Sequence, residues 1–286
     1  MEPISDRERR TVSRIVRTFF MPDRKGGPWP PPADLPHERV AFEGNLGSRL
    51  AGHWFPVEAP RGAVVLVHPD KRYGKHWFER EGWAHFLTRH GYEVLTFDLT
   101  GYGESRGRGT YFFEDVLAAA RFAKREAGGY PVHVVGVSIG AFSVANASPS
   151  LDFVDSLVLE SPYPTFNAWY AQGPGRWGME AFDRFFPKSS RAIQADRNIA
   201  RAAPKRILVA LTEGDTVTPP ALSEAVVRAA PAERTRLLRV EGVPHLGLFR
   251  QSPEYREAIL STLDPARAPE PKAAAARPVA VAPTRF

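Results

Sequence analysis

The sequence predicts an α/β fold: a mostly parallel sheet with helices on both faces. Short apolar runs alternate with longer helical patterns along the chain. The middle runs, such as Ala63-Val64-Val65-Leu66-Val67, are apolar throughout, as strands buried on both faces are. The length of 286 residues, 43% of them hydrophobic, is enough for one sizeable core.

The first patterned segment is helical, with Val12, Ile15, Val16, Phe19 and Phe20 at helical spacing and Arg7, Arg10, Arg14 and Arg17 among them. It reads as a helix packed on the domain rather than one lying on a membrane. Glu2, Asp6, Glu8 and Asp23 argue against a mitochondrial presequence. Six prolines from Pro22 to Pro36 then make a stiff connector, so residues 1–36 stand apart from a folded body over 37–264.

Within that body, strands are expected at 38–43, 49–56, 63–68, 92–97, 132–137, 156–159, 207–211 and 235–240, eight in all, the first two as an antiparallel pair. Helical patterns fall at 77–90, 111–127, 139–147, 219–230 and 253–263. One interval of some 45 residues, between Glu160 and Arg206, has no convincing strand and is rich in aromatics such as Phe166, Trp169, Tyr170 and Phe182. An interval that long predicts a small helical cap, at about 162–204. Residues 265–286 are Pro, Ala and Arg without period and read as a solvated tail.

Composition removes several functions. With no cysteine, there is no disulfide, no thiolate metal site and no cysteine nucleophile. The net charge of +6 sits at the ends: residues 1–27 carry a net +3 and 264–286 a net +2, leaving 27 positive and 26 negative charges between them. A nearly neutral body argues against nucleic acid as a partner. No run reaches the roughly 18 apolar residues of a membrane span, and the N-terminus lacks a signal-peptide core, so a cytoplasmic protein is expected.

Gly-x-Ser-x-Gly occurs twice, at Gly136-Val137-Ser138-Ile139-Gly140 and at Gly103-Glu104-Ser105-Arg106-Gly107. The motif has chemical meaning only as a sharp turn from strand to helix that lifts the serine above the sheet. Ser138 has that context, between the run 132–137 and the helical 139–147, whereas Ser105 lies in a glycine-rich loop and reads as structural. A serine needs a base, and after His133 the only histidine is His245, just beyond the last strand. The base needs an orienting carboxylate. Asp215, in the loop after the run 207–211, is the first choice, with Glu213 and Glu160 as alternatives.

The order Ser138, Asp215, His245 resembles the α/β-hydrolase superfamily over nearly all of residues 38–263, particularly bacterial serine hydrolases of the BEM46-like and serine-aminopeptidase-like groups. The strand ending in His68 and the stretch Asp98-Leu99-Thr100-Gly101-Tyr102-Gly103-Glu104-Ser105 belong to the same resemblance. It implies the α/β-hydrolase fold, a cofactor-free enzyme and an acyl-enzyme on Ser138, with a small-molecule ester or thioester as substrate. An acyltransferase using the same triad, or a non-catalytic ligand binder on this fold, are the alternatives. The family's usual His-Gly is replaced here by His68-Pro69-Asp70. Proline has no N–H, so the expected oxyanion donors are the backbone N–H groups of Ile139 and Asp70. The basic run Lys71, Arg72, Lys75 and His76 reads as a solvated loop, with binding of an anionic substrate group as the sharper alternative. No metal motif is present, and His85 and His90 are spaced wrongly for one helical face.

Overall fold

The computed structural model describes residues 4–19, 34–71, 73–171 and 176–266. Most of the expected proline connector and C-terminal tail, and Arg72, lie outside them. Helix α1 (Asp6–Phe19) is followed by strands β1 (Glu38–Glu43), β2 (Arg49–Phe55) and β3 (Gly62–Val67). Next come α2 (His76–Arg80), α3 (Trp83–Arg89), β4 (Tyr92–Phe97), α4 (Phe112–Glu126), β5 (Val132–Val137), α5 (Ile139–Ala147) and β6 (Ser156–Glu160). Four helices fill the aromatic interval: α6 (Phe166–Tyr170), α7 (Arg176–Phe185), α8 (Pro187–Ala192) and α9 (Ala195–Ile199). The chain closes with β7 (Arg206–Thr212), α10 (Pro220–Ala229), β8 (Thr235–Val240), α11 (Leu248–Gln251) and α12 (Pro253–Leu263).

The strands form one sheet in the order β1-β2-β4-β3-β5-β6-β7-β8. β2 runs antiparallel to both of its neighbours, and every other pair is parallel. Side-chain alternation splits the core in two. Val65, Val67, Leu95 and Phe97 pack under α4 and α5, while Val64, Leu66 and Val94 pack against α3 and α12. Each buried aliphatic side chain of this kind contributes about 1.5–3 kcal/mol.

Two expected boundaries move for local reasons. The single helix expected at 77–90 is broken into α2 and α3 by Gly82, whose φ of +84° no helix can continue through. The strand expected at 49–56 stops at Phe55, before Pro56.

Helix α1 packs on the domain. The Arg17 guanidinium donates to the carbonyls of Thr100 (2.7 Å), Gly109 (3.0 Å) and Arg108 (2.9 Å). Val12 and Val16 join a small apolar cluster with Met179 and Phe182 of α7. Tyr111 bonds Ser189 Oγ (2.8 Å), which donates to Glu8 (2.7 Å), so body, α8 and α1 share one hydrogen-bond chain. No helix among the described residues is long and apolar enough to cross a membrane.

Candidate active site

Ser138 sits between β5 and α5 with φ +56° and ψ −117°, a backbone conformation that costs a non-glycine residue about 1–3 kcal/mol. The surroundings enforce it. The Ser138 N–H donates to the Glu160 carbonyl (2.8 Å) as a continuation of the sheet, and its carbonyl accepts from Phe142 N (2.9 Å) as the first helical bond. The turn is so tight that a Cβ at Gly140 would lie 2.0 Å from the Val67 carbonyl oxygen.

His245 and Asp215 converge on this serine from loops beyond β8 and β7. His245 Nδ1 donates to Asp215 Oδ2 (2.6 Å), which leaves Nε2 as the acceptor facing Ser138 Oγ at 3.3 Å. Asp215 is saturated with donors: Oδ2 also accepts from Ser161 Oγ (3.1 Å), and Oδ1 accepts from the N–H groups of Val217 (2.9 Å) and Thr218 (2.8 Å). Burial works to raise the pKa of this carboxyl, but the His245 bond and the backbone donors outweigh it and hold the group below its ordinary value. Of the alternatives, Glu213 pairs with Arg239 at the surface (3.0 Å). Glu160 is fully buried, and neither of its oxygens closes a hydrogen bond of ordinary geometry among the described residues. Burial pushes its pKa up to about 8, against the pull of the nearby Tyr255 hydroxyl. Asp215 is thus the carboxylate joined to His245.

The loop after β3 is held by His68, which is wholly buried. Its Nδ1 donates to the Pro69 carbonyl (2.8 Å) and its Nε2 accepts from Leu99 N (3.0 Å), so the ring is neutral, and burial lowers its pKa further from protonation. Lys71 N donates to the Pro69 carbonyl (2.7 Å), turning the chain tightly at Asp70. The Asp70 carboxylate accepts from the Tyr102 hydroxyl at 2.6 Å. The sequence gives no sign of this contact. Ile139 is the first residue of α5, so its N–H has no partner within the helix.

The basic run is neither a solvated loop throughout nor one cluster at the pocket. Lys75 is buried: its Nζ bonds Asp98 Oδ2 (2.8 Å) and Glu104 Oε2 (2.6 Å). Burial pulls its pKa down, but these two carboxylates more than compensate and keep the amine charged. His76 bonds Glu79 (2.7 Å). Both are tied up inside the fold, Arg72 lies outside the described residues, and of the run's described residues only Lys71 lines the pocket.

That pocket, about 190 Å³, is lined by Ser138, Ile139, His245, Pro69 and Asp70. Its walls come from the aromatic interval, with Tyr163, Phe166, Trp169, Tyr170, Met179 and Phe182, and from Val16 of α1. The contribution of α1 is invisible to sequence reasoning because it joins residues far apart in the chain. A buried group the sequence also leaves unmarked is His53, His76 and Glu79, whose ligand atoms lie within 4.8 Å of one another. Here Glu79 accepts from His53 Nδ1 (2.8 Å), His76 Nδ1 (2.7 Å) and Thr96 Oγ1 (2.8 Å), a closed hydrogen-bond network.

Strand order, elbow and loops define an α/β-hydrolase fold. A solved esterase of Pyrococcus furiosus superposes with a TM-score of 0.66 at 20% identity, over 85% of this chain and 96% of that one. The family model described as serine aminopeptidase, S33, matches residues 58–204, just over half of the chain. The chain belongs to that family, and hydrolase is the class of activity it carries. Among curated relatives, the uncharacterized protein YfhR of Salmonella typhi is 25% identical over 275 residues, covering 88% of each chain. The lysophosphatidylserine lipase ABHD12 of Xenopus tropicalis is 30% identical over 203 residues, which is 60% of this chain and 50% of that protein.

Proposed function

We propose that this protein hydrolyses carboxylic esters or thioesters through an acyl-enzyme on Ser138. The observation that carries this reading is the hydrogen-bond chain from Asp215 through His245 to Ser138, closed at 2.6 and 3.3 Å, with Ser138 and His245 lining an apolar pocket. His245 Nε2 takes the Ser138 proton as Oγ bonds to the acyl carbon. The oxyanion that forms is met by the N–H groups of Ile139 and Asp70. Collapse of the tetrahedral species breaks the bond to the leaving alcohol or thiol, which receives the proton from His245. Water, deprotonated by the same nitrogen, then attacks the acyl-enzyme and restores the serine. Asp215 holds the imidazole in the tautomer that each step needs.

The helices of 162–204 serve as a cap over this site, and the apolar walls they supply suit the acyl or aryl part of the substrate. The lipase named among the relatives supports an amphiphilic ester. Lys71 is the cation placed to meet an anionic group on it, so Lys71→Glu lowers the rate on anionic esters relative to neutral ones. The primary test is p-nitrophenyl ester hydrolysis across acyl lengths, with wild type against Ser138→Ala and His245→Ala. Turnover should vanish in both variants. Turnover that survives Ser138→Ala overturns the reading.

A further inference from the structure

We propose that the outer face of α7 docks this protein on an anionic lipid surface, from which the pocket draws its amphiphilic substrate. The substrate half of this rests on the hydrolase reading, and the docking half does not. Among the described residues, Trp177 is 76% exposed and Phe185 71% exposed, both on α7. They lie at i and i+8 with Ala181 between them, which places all three along one side of the helix. The other side, through Met179 and Phe182, is a wall of the pocket. One helix therefore carries wall residues of the pocket on one side and two large, exposed aromatic side chains, two turns apart, on the other.

The surrounding charge favours a lipid surface over a neutral apolar partner. Arg184 is exposed beside the stripe and Arg191 on α8, against the exposed carboxylate of Glu180 on α7. The carboxylate of Asp183, by contrast, is turned to Asn167 and Ser190 as a hydrogen-bond acceptor. Helix α1, packed against α7 through Val12 and Val16, presents Arg14 to solvent. Aromatic residues with cations at their margin are the composition of a helix seated in the headgroup region, where each cation gains from anionic lipid.

The experiment is co-sedimentation of the full-length protein with phosphatidylcholine vesicles and with vesicles containing phosphatidylglycerol. Wild type should partition onto the anionic vesicles, less so as salt rises. Trp177→Ser with Phe185→Ser should weaken partitioning roughly a hundredfold, with unchanged turnover of soluble p-nitrophenyl acetate as proof of folding. Trp177→Ser alone should remove a vesicle-induced blue shift in tryptophan emission. Arg184→Glu with Arg191→Glu should abolish the preference for anionic vesicles by about tenfold or more. Ser138→Ala should bind as wild type does, so failure of the hydrolase reading would leave vesicle binding standing. No wild-type binding to anionic vesicles, or binding undiminished in the aromatic variant, overturns the proposal. So does a dimer that dissociates in the aromatic variant without vesicle binding, which would assign the face to a second copy of this chain.

Discussion

Two stretches of this chain read Gly-x-Ser-x-Gly, and the fold treats them in opposite ways. Ser138 is caught between the end of β5 and the start of α5, with a positive φ and its hydroxyl turned to His245 at 3.3 Å. Ser105 lies in a loop where its hydroxyl donates to the Asp98 carbonyl (2.6 Å) and accepts from Ala51 N (2.9 Å). One hydroxyl is kept available to a base, and the other is consumed in tying β2 to the loop after β4. The pattern is the same, and the elements on either side of it decide what each hydroxyl can meet.

Substitutions break this comparison in a predictable order. Ser138→Ala should lower ester turnover by about 10⁶ while leaving the thermal midpoint close to wild type, as read by p-nitrophenyl ester kinetics and calorimetry. Asp215→Asn should cost about 10⁴ in kcat, since the amide can no longer fix the His245 tautomer. Ser105→Ala should do the reverse of Ser138→Ala: it leaves two backbone groups without their partner, costing roughly 1–3 kcal/mol of stability by denaturant unfolding, with activity retained in the folded fraction.

A smaller effect comes from Glu160, whose carbonyl holds Ser138 N while its carboxyl stays buried. Its folded pKa is raised from 4.5 to about 8 by burial, so between these values the folded state binds a proton that the unfolded state has lost. Stability therefore falls as pH rises through that window. Glu160→Gln should remove this loss, raising the thermal midpoint more at pH 8 than at pH 5. An equal change at both pH values would mean that the carboxyl is ionised in the folded protein throughout.

The central strands are legible in the sequence because burial on both faces leaves apolar runs, and β4 and β5 match their expected bounds residue for residue, as do the half-exposed edge strands β1 and β8. Ser138 is legible because it follows directly on such a run, and Asp215 and His245 because they lie in the loops beyond later strands; the fold brings the three within hydrogen-bond distance. What stays hidden depends on side chains meeting across the chain. Lys75 looks like a solvated cation until Asp98 and Glu104 close on it. Asp70 looks like a solvated carboxylate until the Tyr102 hydroxyl bonds it. Val16 looks like one more apolar residue of a peripheral helix until it lines the pocket. None of these contacts has a periodicity or a local motif to announce it.

The most direct test of Ser138 as the nucleophile is labelling with a fluorophosphonate, followed by mass spectrometry of the digested protein. The adduct should fall on the peptide holding Ser138, be absent from the peptide holding Ser105, and disappear in His245→Ala. An enzyme that turns over esters yet carries the label on another residue, or takes no label at all, would contradict it.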